Sequence, residues 1–304
     1  MAQAEVFTLR ALAQRGRRIP RLPLMLLAPT ALFALAVTVF PLGYAVIASI
    51  QAFRFGRPVA FIGLLNYQNL LVDANFRGSL VTTLIFTVAA TTAEFVLGMA
   101  LALLLKDDLP LEGIIRSILI IPMIVAPVVV GIVWRLLYSS DVGLVGYATL
   151  LIFGEPVSVL SSPALALAAL ILVDIWEWTP FMFLILLAGI QSLPQEPFEA
   201  ARVDGASAWG SFTHLMLPML RPVIMVAVLI RAMDAFTVFD QVYVLTNGGP
   251  GTATEVATLM VYKAAFRFSQ IGYGAAMALA LLVLVMALAF AITRALRGDA
   301  LGEA

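Results

Sequence analysis

An all-α membrane protein with six spanning helices is predicted by three observations. Of the 304 residues, 62% are hydrophobic and 12% charged, against roughly 45 to 50% and 25% in soluble chains. Apolar stretches long enough for the ~20 residues a bilayer requires recur along the whole chain. Basic residues collect preferentially between alternate stretches, which gives the set a consistent orientation.

Residues 1–23 form a basic N-terminal tail carrying Arg10, Arg15, Arg17, Arg18 and Arg21. The apolar run that follows, Leu24 to Ile50, is too long for a signal-peptide core and lacks a small-residue cleavage site, so it reads as an uncleaved first span. Further spans are expected near Ser79 to Leu105, Ile114 to Tyr138, Ala164 to Ile190, Val223 to Leu245 and Ile271 to Ala295. The spanning unit is thus 24–297, with a polar loop at 194–222 and a C-terminal tail at 298–304. With both termini in the cytoplasm, the inner segments hold eleven Lys and Arg and the outer segments six, which puts the 194–222 loop on the cytoplasmic side.

Span three contains Pro122, Pro127 and Gly131, and span four Pro180. Such breakers fit either helices that kink around a cavity or ordinary membrane packing. The 194–222 loop reads as helix, glycine joint, helix. Pro197 suits a first helical position, Glu199 falls in the first turn, Gly205 ends the piece, Ser207 caps a second helix, and Pro218 is expected to stop it. Pieces of about two turns are too short to stand alone in water, so the loop either connects two spans or docks on a partner.

The ionisable residues inside the spans mark the interior. Glu94, Asp174, Glu177, Arg231 and Asp234 are costly in hydrocarbon unless paired or hydrated. Arg231 and Asp234 are i,i+3 neighbours and fit a structural ion pair. Four carboxylates against one arginine leave the group net acidic, so some of them are expected to meet water or a solute. Trp176, Trp178, Phe181, Phe236, Phe239 and Tyr243 stand near it in sequence. Aromatic faces beside carboxylates suit a sugar, although they also serve as packing and interface anchors. The candidate solute-contacting set is Glu94, Asp174, Trp176, Glu177, Trp178, Arg231, Asp234, Asp240 and Tyr243.

Several chemistries lack raw material. There is no cysteine, His214 is the only histidine, and formal net charge is zero, so nothing points to disulfides, zinc, histidine catalysis or nucleic acid. Neither lysine, Lys106 or Lys263, sits in a glycine-rich phosphate loop, so ATP is expected to bind elsewhere.

Three segments carry a resemblance. Glu199-Ala200-Ala201, Gly205 and Leu215-Met216-Leu217-Pro218 resemble the EAA loop of ABC importer permeases, with Leu215 replacing the commoner isoleucine. Phe61-Ile62-Gly63-Leu64-Leu65-Asn66-Tyr67 and the segment from Phe239-Asp240 through Tyr243 to Gly248-Gly249-Pro250 resemble those of carbohydrate-type permeases, and Tyr262 to Phe266 continues the likeness. The resemblance implies a type I ABC importer permease fold in a bacterial inner membrane. It implies that Glu199, Ala200, Ala201, Asp204, Gly205, Leu217 and Pro218 couple to an ATPase. The implied partners are a second homologous permease, two ATPase subunits holding ATP and Mg, and an extracytoplasmic solute-binding protein. No cofactor is expected on this chain, and no enzymatic activity. The implied cargo is a neutral sugar, oligosaccharide or polyol, with a glycerol-phosphate-type permease as the near alternative. A stand-alone proton- or cation-coupled transporter, or a membrane enzyme using the buried carboxylates, would leave the loop without a purpose.

Overall fold

The computed structural model describes residues 21–54, 56–107 and 110–297. Arg10, Arg15, Arg17, Arg18 and the tail at 298–304 lie outside them. Helix α1 (Arg21–Ser49) is apolar on all sides and exposed along most of its length, as a helix solvated by lipid is. An antiparallel hairpin follows, β1 (Gln51–Arg54) and β2 (Arg57–Phe61). Gly56, at φ +75°, lets the chain reverse between two extended runs. After α2 (Leu65–Val72), helix α3 (Ala74–Leu104) starts on the Asp73 carboxylate, which accepts from the backbone N–H of Asn75 and Phe76.

The third span, expected over Ile114 to Tyr138 with Pro122, Pro127 and Gly131 as breakers that fit a kink or ordinary packing, is not one straight helix. It is a pair, α4 (Glu112–Ile124) and α5 (Pro127–Leu137), bent by 94°. The cause is local: Pro127 bars the residue before it from helical geometry, and Val125 and Ala126 adopt ψ of 135° and 134°. A short apolar helix, α6 (Leu144–Phe153), then precedes α7 (Pro163–Gln191), which remains one helix in spite of Pro180.

Next come α8 (Glu196–Val203) and α9 (Ala208–Ser211), and a π-turn (Phe212–Met216) that leads directly into α10 (Leu217–Phe236). Span five reaches Leu245 as expected, with a short interruption of the helix at 237–239. The Thr237 hydroxyl donates back to the carbonyls of Met233 and Asp234, which closes the end of α10. Helices α11 (Asp240–Leu245) and α12 (Ala257–Tyr262) and a second π-turn (Lys263–Arg267) complete that end before α13 (Ile271–Arg297). Among the described residues five helices are long and apolar enough to cross a membrane, or six if the bent pair counts as one span.

Helices α3 and α7 form the frame. A Cβ at Gly98 would lie 2.7 Å from Met182 Cβ and 2.9 Å from the Phe183 nitrogen, so only glycine permits this approach. Buried apolar groups gather toward both ends of the frame, Phe86, Leu170 and Val242 near one end and Met99, Phe183 and Leu220 near the other. Along α3, α7 and α10 the buried Glu94, Asp174, Glu177 and Arg231 fall between these two clusters.

Candidate functional site

Arg231 reaches out from α10 into the seam between α3 and α7, where its side chain is 2% exposed. Its Nη2 donates to Glu94 Oε1 at 3.0 Å, and its Nε lies 2.7 Å from Glu94 Oε2 as an ion contact. Nη2 also donates to Asp174, and Nη1 to Asp234 Oδ2 at 2.9 Å. The Trp178 ring stands 5.2 Å from the guanidinium carbon. A lone arginine at this depth would be prohibitive in hydrocarbon; three carboxylates and an aromatic face replace its water. Glu94 and Asp174 are as buried as Arg231, while the Asp234 side chain is 53% exposed and forms the outward edge of the cluster.

The other candidates divide into separate groups. Glu177 accepts a hydrogen bond from the buried Gln241 amide, leaving Glu177 Oε1 and Gln241 Oε1 without a protein partner among the described residues. Trp176 is half exposed and meets Trp134 edge-on at 5.5 Å. Tyr243 stacks on Phe239 at 5.4 Å and meets Tyr262 at the same distance. Asp240 is exposed in the first turn of α11. The structure therefore brings Glu94, Asp174, Trp178, Arg231 and Asp234 into one cluster and sets Trp176, Asp240 and Tyr243 apart from it.

Two partners are invisible in the apolar pattern. Gln241 follows Asp240 in the segment read for its motif, yet its part is to hold Glu177. Thr83, a hydroxyl on α3, accepts the backbone N–H of Ala257 at 2.9 Å across 174 residues. Among the described residues no group of three or more His, Cys, Asp or Glu side chains is arranged to hold a metal ion.

The loop after α7 is built as its residues dictate. Glu196 and Glu199 occupy the first turn of α8 beside Pro197, favourable to the helix dipole. The helix ends in a Schellman motif: the Ala206 N–H donates to the Ala201 carbonyl at 2.9 Å, the Gly205 N–H donates to Arg202 at 3.2 Å, and Gly205 takes φ +79°. Asp204 is the C-cap, and Ser207 Oγ accepts the Gly210 N–H at 3.1 Å to cap α9.

One expectation fails here. Pro218 does not end the second helix, because the π-turn intervenes and the Leu217 N–H donates to the Phe212 carbonyl five residues back. That wider turn removes the carbonyl that a proline ring would otherwise strike. The helical backbone thus runs unbroken from Ala208 to Phe236 and carries Arg231 roughly 35 Å from Ala208. At the loop itself Val203 and Trp209 are 88% and 73% exposed, large apolar groups on its surface.

Comparison with known proteins gives this arrangement its place. Residues 94–298 match the family described as binding-protein-dependent transport system inner membrane component. The trehalose transport system permease protein SugA of Mycobacterium tuberculosis is 39% identical over 84% of this chain and 82% of its own length. The trehalose/maltose transport system permease protein MalF of Thermococcus litoralis is 38% identical over 71% of this chain and 73% of its own. In fold, the chain superposes with a TM-score of 0.81 on a crystal structure of a bacterial ABC transporter that imports the acidic polysaccharide alginate. That likeness covers 95% of this chain and 99% of the other at 22% identity. By the family match and these relatives, the chain belongs to the binding-protein-dependent transport system inner membrane components, the permease subunits of ABC importers.

Proposed function

We propose that this permease admits a neutral sugar, oligosaccharide or polyol delivered by an external solute-binding protein, and that it works by alternating access driven from the 194–222 loop. The observation that carries the reading is the unbroken helix from Ala208 to Phe236, which joins the loop to the Arg231 cluster. Displacement of the loop by an ATPase then shifts α10 against α3 and α7. Glu199, Ala200, Ala201, Asp204 and Gly205 form the surface that meets the ATPase, and Leu217 and Pro218 hand the movement to α10.

The relatives named for trehalose and maltose transport support the sugar class. Asp234, Trp176, Asp240 and Tyr243, which are exposed in this chain, meet the solute. Glu94, Asp174, Trp178 and Arg231 brace Asp234 from behind. Glu177, with an oxygen that lacks a protein partner, takes a sugar hydroxyl or water as the helices part. ATP and Mg reside on two ATPase subunits, a second permease completes the pathway, and both termini face the cytoplasm of a bacterial cell.

The test is affinity purification from native membranes, followed by uptake of labelled trehalose into vesicles that hold the recovered complex. Uptake requiring internal ATP and the binding protein, and lost in Glu199→Ala/Gly205→Pro, is the expected result. Uptake by the chain alone without ATP would overturn the reading.

A further inference from the structure

Two adjoining cavities open under the 194–222 loop. The larger, of about 530 Å³, is lined by Leu103, Lys106, Phe198, Arg202, Trp209 and Phe212 among others. The smaller, of about 240 Å³, shares Lys106, Phe198 and Arg202 and adds Asp107 and Gln195. Lys106 lies just past the end of α3 and Arg202 in the last turn of α8, so two unconnected elements point cations at one space. Among the described residues neither cation has a carboxylate within ion-pair distance, and Asp107 lines only the smaller chamber.

In the larger chamber no carboxylate lines the wall beside these two cations, and an anion between them there removes their mutual repulsion. Apart from Ser211 the rest of the larger wall is apolar, which a small hydrated anion does not use. Leu104, next in the chain to Leu103, is 70% exposed, as a lipid-facing side chain is. The cavity therefore sits where the apolar end of α3 gives way to polar loop, at the depth of lipid headgroups.

We propose that this cavity binds an anionic phospholipid, with the headgroup phosphate between Lys106 and Arg202 and an acyl chain along Leu103, Phe198 and Phe212. With the topology proposed above, the lipid comes from the cytoplasmic leaflet, where anionic lipids make the surface negative. A lipid seated under the loop ties the position of α8 to the composition of the membrane. The site concerns lipid alone, so it stands or falls separately from the sugar reading.

The experiment places the purified full chain, with whatever subunits accompany it, in nanodiscs of equal phosphatidylglycerol and phosphatidylcholine. Retained lipid is then counted by native mass spectrometry. Phosphatidylglycerol is expected to be held selectively. Lys106→Gln/Arg202→Gln should reduce its retention on the order of tenfold, and Lys106→Arg/Arg202→Lys should preserve it, which guards against a folding defect. Equal retention of both lipids, or a neutral variant that keeps phosphatidylglycerol, would overturn the site. Displacement of the lipid by millimolar inorganic phosphate would assign it to a free anion instead.

Discussion

Arg231 and Glu94, 137 residues apart in sequence, meet twice inside the bundle, at 3.0 Å and 2.7 Å, with side chains no more than 2% exposed. Removing the arginine strands two buried carboxylates; removing Glu94 leaves the arginine with Asp174 and Asp234. Arg231→Gln is therefore expected to cost about 3 to 5 kcal/mol and Glu94→Gln clearly less. Thermal unfolding of the purified variants in detergent checks the order, and equal midpoints would contradict it.

The close approach of α3 and α7 depends on Gly98. Gly98→Val adds atoms where a single Cβ already lies 2.7 Å from Met182. Little folded protein is expected in the membrane fraction. Met182→Ala in the same chain should not recover it, because the obstruction is the Met182 Cβ and the backbone of Met182 and Phe183, which alanine keeps.

Gly205 is a different case. No atom lies within 4 Å of a Cβ built there, so the penalty of Gly205→Ala comes from its φ of +79° alone. We expect a loss of about 1 kcal/mol at the loop with the rest of the fold intact. In the assembled transporter, solute-stimulated ATP hydrolysis should fall while total chain in the membrane stays level. Asn, which tolerates left-handed backbone, should do better than Ala at this position.

Thr83→Val keeps shape and removes an acceptor. The Ala257 N–H it serves is buried, so about 1 to 3 kcal/mol should be lost. Hydrogen exchange at the start of α12 should accelerate well before exchange along α7 does. Uniform acceleration would argue against a local role.

Much of this architecture is legible in residue type. Pro197, Gly205 and Ser207 announce the helix, joint and cap of the loop, because each acts through its own backbone or its nearest neighbours. The buried ionisable side chains announce an interior for the same reason: their cost in hydrocarbon does not depend on which partner relieves it. What escapes are relationships between distant segments and changes of direction. Hydropathy sees Ile114 to Tyr138 as one apolar run and is blind to a 94° turn at Pro127. It reads Pro218 as a stop, since nothing in Phe212 to Met216 declares a wider helical turn. It cannot choose Gln241 as the holder of Glu177, because that pairing is made by the return of α11 over α7.

The π-turn at Phe212–Met216 fixes an angular phase. Each residue of helix advances the chain by about 100° around its axis. Deleting one residue there would restore ordinary helical spacing and rotate everything beyond by that angle, swinging Arg231 from the carboxylates toward lipid. The length of this segment is thus as binding as its composition. Insertions and deletions that an exposed stretch such as 154–156 absorbs would, at this point, uncouple the two ends of the rod by misaligning them.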